Sequence, residues 1–142
     1  MTRLATYEDA EQLEVLNNEF NGEGETSLEN IKSSLTHNTQ EFVVVEQIED
    51  ELVGFICVQL KKSFCYDDYM VEITEVYVKD NYRNHGIAKN MITYAEDHCK
   101  KNYPCHSVEI LTGKENFVAQ DVYEKLGYKD DKELHLSKRI TI

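Results

Sequence analysis

The residues Arg83-Asn84-His85-Gly86-Ile87-Ala88 form a short basic loop. It lies between the β-branched run Val71-Glu72-Ile73-Thr74-Glu75-Val76-Tyr77-Val78 and an amphipathic segment that starts at Ile87. A loop of this kind that opens a helix turns several backbone N–H groups toward one point, with the positive end of the helix dipole behind them. The chemistry it supports is the binding of an anion such as a phosphate or pyrophosphate. Gly86 lets the backbone approach closely, Ala88 is small enough to keep that approach open, and Arg83 adds charge. The same spacing also describes an ordinary strand-to-helix turn. Its position gives it more weight, because it follows a central strand and opens the longest helix.

A second pattern is Asn116-x-x-Ala119-x-x-x-Tyr123-x-x-Leu126-Gly127-Tyr128. Ala119 and Tyr123 are four apart and share one helix face, with Val118, Val122 and Leu126 as the neighbouring core stripe. Tyr123 then sits at the edge between core and cleft. A rim tyrosine with a hydrogen-bonded hydroxyl is the plainer reading, and Tyr123 is informative only through its company.

The elements that must position these groups follow from periodicity and punctuation. Met1 to Ala5 reads as a short strand. Thr6 is an N-cap with Asp9 three residues on, opening a helix through Ala10, Leu13 and Leu16 to about Phe20. Asn21–Glu25 is a flexible acidic loop, and Ser27 caps a second helix through Leu28, Ile31 and Leu35. Phe42 to Ile48 and Leu52 to Leu60 form a hairpin about Glu49-Asp50. Lys61 to Asp68 is a loop and Met70 to Val78 a central strand. Ile87 to about Asn102 is a helix with Ala88, Met91, Ile92, Ala95 and Cys99 on one face. Ser107 to Leu111 is a strand, and Phe117 to Leu126 a helix that Gly127 ends. Tyr128 to Asp130 and Leu134 to Ile140 close the chain as strands. The order β-α-α-β-β-β-α-β-α-β-β predicts an α/β fold: a mixed sheet with helices on both faces. Within it, Met70–Val78 and Ser107–Leu111 are parallel neighbours.

Composition bounds the function. The sequence has 142 residues, with 27 Asp and Glu against 15 Lys and Arg and a formal charge of −12. One domain, residues 1–142, is expected. The acidic excess argues against nucleic acid and anionic membranes as partners and is compatible with a cationic acceptor. No apolar run reaches membrane-helix length and no signal peptide opens the sequence, so a cytoplasmic location is expected. Cys57, Cys65, Cys99 and Cys105 lack Cys-x-x-Cys spacing and read as reduced thiols. No metal site is expected, although His98-Cys99 and Cys105-His106 flank one helix-to-strand turn.

Together the two patterns resemble motifs A and B of the GNAT superfamily of acyl-CoA-dependent N-acetyltransferases. Arg83–Ala88 resembles its Arg/Gln-x-x-Gly-x-Gly/Ala loop. Val122-Tyr123-Glu124-Lys125-Leu126-Gly127-Tyr128 resembles its tyrosine-x-x-Leu-Gly-aromatic segment, and Thr74–Val78 the strand before the loop. The element order fits, so the resemblance covers essentially the whole chain. It implies a splayed central sheet and acetyl-CoA as cofactor. The amides of Asn84, His85, Gly86, Ile87, Ala88 and Lys89 would bind the coenzyme A pyrophosphate, with Arg83 adding charge. The pantetheine arm would lie between the two parallel strands along Val76-Tyr77-Val78, pairing with backbone near Val76 and Val78. Asn116 would hydrogen-bond the arm and Ala119 would leave room for it.

The reaction so implied is direct acetyl transfer to a primary amine in a ternary complex. Glu75 is the preferred base, with Glu72 as the alternative. An ideal strand puts them on opposite faces, so both serve one site only if the strand is bulged. A surface or salt-bridged carboxylate is an equally open reading of Glu75. The Val76 N–H would stabilise the oxyanion and Tyr123 would protonate the departing thiolate. Asn84 replaces a glycine frequent in the family loop, which Asn tolerates because it adopts left-handed conformations.

Acceptor choice falls to the loops. Glu23 and Glu25, and Asp67 and Asp68, with Glu72, would favour a small cationic amine, polyamine-like or aminoglycoside-like. Solvated loop charge is the competing reading. A weaker similarity to aminoglycoside 6′-N-acetyltransferases lies in Glu75–Val78 and Leu126-Gly127-Tyr128. The segment before Asn116 lacks an acidic residue seen in some amine-specific members. A protein or peptide N-acetyltransferase and a non-catalytic acyl-CoA-binding module are the alternatives, and a homodimer is plausible.

Overall fold

The structure is a computed structural model that describes residues 1–141. The chain divides into two compact units, residues 1–111 and the residues from Thr112 on.

In the first unit a five-stranded sheet runs in chain order: β1 (Thr2–Leu4), β2 (Glu41–Ile48), β3 (Glu51–Lys61), β4 (Tyr69–Val78) and β5 (Cys105–Ile110). The first four pair antiparallel and β5 joins β4 in parallel, as the crossover pattern predicts. Helices α1 (Ala10–Asn21) and α2 (Leu28–His37) precede the hairpin, and α3 (Ile87–Asn102) links β4 to β5. Local chemistry fixes the starts of these helices. The Thr6 N–H donates to the Asp9 carboxylate at 2.8 Å across a single 3-10 turn, Tyr7–Asp9, that leads into α1. Arg3 grips the same carboxylate through both terminal nitrogens, at 2.8 and 2.9 Å. The Ser27 hydroxyl accepts from the Asn30 N–H at 3.1 Å and opens α2.

Strand alternation assigns the faces. Leu13 and Leu16 of α1 pack with Val45, Phe55 and Tyr77, and Ile31 and Leu35 of α2 lie against the same cluster. Gly54, one residue from Phe55 and so on the opposite face, meets α3. A Cβ there would stand 2.9 Å from the Tyr77 carbonyl oxygen and 3.1 Å from Met91 Cε. The sheet is therefore covered by α1 and α2 on one side and by α3 on the other. Met91, Ile92, Ala95 and Cys99 of α3 are buried, as their spacing predicts.

In the second unit α4 (Phe117–Lys125) is the only regular element among the described residues. It buries no residue, and Val118, expected in the core, is 74% exposed. The expected strands Tyr128–Asp130 and Leu134–Ile140 do not form. Asp130 and Asp131 each accept from a backbone N–H two residues on, at 2.8 and 3.0 Å, and Lys132 is left-handed with φ 66°. Such local bonds compete with a ladder. Leu134, Leu136 and Ile140 alternate as a strand would, but all three are exposed, and strand geometry is not stable without a backbone partner.

Candidate active site

The loop between β4 and α3 has the geometry of an anion cradle. Gly86 is the N-cap of α3 at φ 77°, ψ 13°, and Asn84 is left-handed at φ 66°, as its side chain allows. The first intrahelical bond runs from the Asn90 N–H to the Gly86 carbonyl at 3.0 Å. No side chain caps this end and no acidic residue occupies the first turn. The amides of Ile87, Ala88 and Lys89 are thus the orphan donors of the helix, reinforced by its dipole. A Cβ on Gly86 would find nothing within 4 Å, so the space in front of the cap is open.

Arg83 is anchored at the end of β4. Its Nε donates to the Val78 carbonyl at 2.9 Å, its NH1 stands 2.9 Å from Asp80 Oδ1, and its guanidinium lies 5.8 Å from the centroid of the Tyr77 ring. It pins the loop to the end of β4 and shares its charge with Asp80. The Tyr77 side chain is likewise committed, since it is buried, donates to Glu19 at 2.9 Å and stacks on Phe20 at 5.1 Å. Only its backbone remains for a ligand.

Beside the loop the two parallel strands part. The β4–β5 ladder ends at the pair Ile73–Ile110, so among the described residues β4 from Thr74 to Val78 has no strand partner on that side. A bulge also falls in this stretch. Cys57 pairs with Glu75 while Val58 pairs with Ile73, which leaves Thr74 as the extra residue. The bulge corrects ideal alternation and brings Glu72 and Glu75 to the same face. That face is the α1 side, because Cys57 and Val43 line the α1 core.

The two carboxylates differ. Glu72 is paired with Lys61 at 2.8 Å. Glu75 is half-buried; burial raises its pKa above the ordinary glutamate value, and a hydrogen bond from Asn21 at the end of α1 partly offsets this. Two neighbours were not singled out from the sequence. Glu41 accepts from Gln59 at 2.8 Å, and burial together with the Glu75 charge raises its pKa. The Cys57 thiol is pushed well above its usual value by burial and then by Glu41 and Glu75. The hairpin register, which sets Glu41 opposite Gln59 and Cys57 beside Glu75, is the signal that links them.

The loop carboxylates are less gathered. Glu23, Glu25 and Asp67 are exposed. Asp68 lies 2.8 Å from His106 Nε2, so it has a partner of its own. Among the described residues no three His, Cys, Asp or Glu side chains converge as metal ligands. His98 faces Asn102 and the Phe42 ring.

In the second unit the Asn116 side chain caps α4, its Oδ1 accepting from the Ala119 N–H at 3.2 Å. That oxygen is therefore occupied by the helix. Tyr123 is half-buried and packs edge-on against Tyr128 at 6.4 Å between centroids. Burial raises its pKa, so the hydroxyl keeps its proton at neutral pH.

The profile of the acetyltransferase (GNAT) family matches residues 7–128. Solved structures share the fold at low identity. One is an aminoglycoside acetyltransferase from an uncultured soil metagenomic sample, in complex with sisomicin (TM-score 0.85, 18% identity, covering 99% of this chain and 96% of that one). Another is AAC(6')-Iy in complex with the bisubstrate analog CoA-S-monomethyl-acetylneamine (TM-score 0.84, 16% identity, 99% and 98% covered). A third is a ribosomal-protein-alanine N-acetyltransferase from Brucella melitensis biovar Abortus 2308 (TM-score 0.79, 16% identity, 98% and 99% covered). Comparison with curated proteins gives no match. No helix among the described residues is long and apolar enough to cross a membrane. The family match, over a mixed sheet that parts beside a left-handed helix cap, makes this chain a member of the GNAT family of acyl-CoA-dependent acetyltransferases.

Proposed function

We propose that this protein transfers an acetyl group from acetyl-CoA to a primary amine on a small, cationic, polyamine-like or aminoglycoside-like acceptor in the cytoplasm. The observation that carries the reading is the bulge at Thr74. It sets Glu72 and Glu75 on one face beside the stretch of β4 that β5 leaves unpaired. The residues present fit acetyl-CoA. The orphan amides at Ile87, Ala88 and Lys89 and the open space before Gly86 suit a pyrophosphate, and the unpaired backbone near Val76 and Val78 suits an extended amide-bearing arm. When bound, acetyl-CoA supplies the activated thioester.

Glu75 takes a proton from the acceptor ammonium, directly or through a water. Its raised pKa brings it closer to neutrality, where a base is more effective. Glu72, held by Lys61, contributes negative field rather than proton transfer. With acetyl-CoA bound, the Val76 N–H would be a donor toward the thioester carbonyl oxygen, and the Tyr123 hydroxyl would be the proton source for the coenzyme sulfur. Burial raises the Cys57 and Cys99 thiols and makes them poor acyl carriers, which supports direct transfer in a ternary complex. The family profile runs from residue 7 to residue 128, which supports reading residues 1–142 as one acetyltransferase domain. The likeness to a ribosomal-protein-alanine N-acetyltransferase favours a second reading, a peptide N-terminus as acceptor.

The test is the pH dependence of acetyl transfer. Activity should fall as pH drops through the raised Glu75 pKa, and Glu75→Gln should lower kcat/KM by about 100-fold or more and abolish that limb. An unchanged acid limb in Glu75→Gln would remove Glu75 as the base.

A further inference from the structure

The end of α1 is fastened to the end of β4 by one buried ring and one carboxylate. Tyr77 is 9% exposed, and its hydroxyl donates to Glu19 Oε1 at 2.9 Å. The other oxygen of Glu19 lies 3.1 Å from Lys79 Nζ, so both carboxylate oxygens are taken up at the end of β4. Phe20, the next residue of α1, stacks on the Tyr77 ring with centroids 5.1 Å apart and meets Phe55 edge-on at 6.2 Å. The same tyrosine ring lies 5.8 Å from the Arg83 guanidinium, and Arg83 Nε donates to the Val78 carbonyl at 2.9 Å. Lys79 also stands 3.9 Å from Glu51 Oε2, and the Tyr82 hydroxyl donates to Glu51 Oε1 at 3.3 Å. Tyr77 and Lys79 thus join the last turn of α1 to the residues that lead into the α3 cap.

Two different features lie on either side of this joint. Val76 and Val78, which flank Tyr77, carry backbone that has no strand partner on the β5 side among the described residues. Beyond Phe20 and Asn21 the chain enters residues 22–25, all exposed, with Gly22 and Gly24 at φ 93° and 87°. A run of that kind has little packing of its own, so its order depends on the helical turn it leaves. Neither Glu19 nor Phe20 has a part in the transfer chemistry proposed above.

We propose that Glu19 is a positioning residue that couples the acetyl-CoA site to the loop of residues 22–25. The proposal rests on the reading that acetyl-CoA lies along Val76 and Val78. A ligand bonded to that backbone restrains the end of β4, and Tyr77 and Lys79 with it. Glu19 and Phe20 pass the restraint to the last turn of α1, and Glu23 and Glu25 are ordered before the acceptor binds. Such coupling works through ordering rather than a change of fold. It is also reciprocal, so an acceptor that orders the loop tightens the hold on the cofactor.

Hydrogen exchange of the full-length protein, read by mass on its peptides with and without coenzyme A, tests the coupling. Coenzyme A is the probe because it fills the cofactor site without reacting. In the parent, the ligand should slow exchange in two places: the first turn of α3 and residues 18–25. The slowing in the second should be about fivefold or more. In Glu19→Ala the α3 response should remain and the response of residues 18–25 should be lost. Glu19→Gln keeps an oxygen for the Tyr77 hydroxyl and should recover part of it. A Glu19 that only holds the helix would, when replaced, speed exchange in the free protein and leave the ligand-induced slowing in place; that result overturns the proposal. A parent in which coenzyme A slows exchange at α3 alone overturns it as well. Coenzyme A that slows neither region removes the cofactor reading itself, and the coupling falls with it.

Discussion

Replacing Gly86 with alanine separates what the α3 cap does for the fold from what it does for the ligand. The cap is left-handed at φ 77°, and an added Cβ would touch nothing within 4 Å. The folding cost is therefore conformational alone, about 1–2 kcal/mol for an L-residue held in this region. For a domain near this size that lowers Tm by roughly 2–8 °C. The ligand cost is separate. A Cβ on the cap residue also adds bulk next to the amides of Ile87, Ala88 and Lys89, where the pyrophosphate of acetyl-CoA is proposed to sit. Binding should weaken tenfold or more, equivalent to about 1.4 kcal/mol. Gly86→Asn serves as the control, because asparagine tolerates the left-handed region, as Asn84 does at φ 66°. It should melt closer to the parent than Gly86→Ala while binding acetyl-CoA as poorly. Thermal melts and calorimetric titration with acetyl-CoA read the two effects. An alanine variant that melts within about 1 °C of the parent would refute the conformational argument. Unchanged acetyl-CoA affinity in both variants would refute the cradle.

Three further outcomes follow from the same geometry. Gly54→Ala places a Cβ 2.9 Å from the Tyr77 carbonyl and 3.1 Å from Met91 Cε, between β4 and α3, and should cost about 1–3 kcal/mol in a denaturant melt. Asp9→Asn loses the two-pronged bond from Arg3, which with the Thr6 N–H holds the Asp9 carboxyl below the usual carboxylate range. Stability linked to such a depressed pKa is present above the unfolded value of about 3.9 and is lost as pH falls through the folded one. The variant should be weaker by about 2–3 kcal/mol at pH 7, and the gap should close below about pH 4 in urea melts across pH. Tyr123→Phe should leave the acetyl-CoA Kd within about twofold and lower kcat by about tenfold or more, whereas equal turnover would remove it as the acid.

Much of this arrangement was legible in the residues, and the exceptions have physical causes. The form of the loop between β4 and α3 could be read because its signals are local: a β-branched strand, a glycine at the cap and an amphipathic helix behind it. Asn84 was readable as left-handed for the same reason. The fate of Arg83 was not, since its charge alone does not reveal that the Val78 carbonyl and Asp80 take it up. Alternation predicts opposite faces for Glu72 and Glu75, and only the paired register with β3 reveals the extra residue at Thr74. Glu41 escaped notice because its importance comes from two strands away, through Gln59 and the field of Glu75. The C-terminal alternation of Leu134, Leu136 and Ile140 reads as a strand, yet a ladder depends on a neighbour that periodicity does not supply.

The central claim is acetyl transfer from acetyl-CoA to a cationic amine, and the most direct measurement is thiol release from acetyl-CoA against polyamines, aminoglycosides, amino acids and short peptides. Thiol from the protein's own cysteines is subtracted as background. The account predicts release above background with polyamines or aminoglycosides, and loss of that release in Glu75→Gln. Release with none of the amines, in a protein whose Tm still rises with acetyl-CoA, would contradict it.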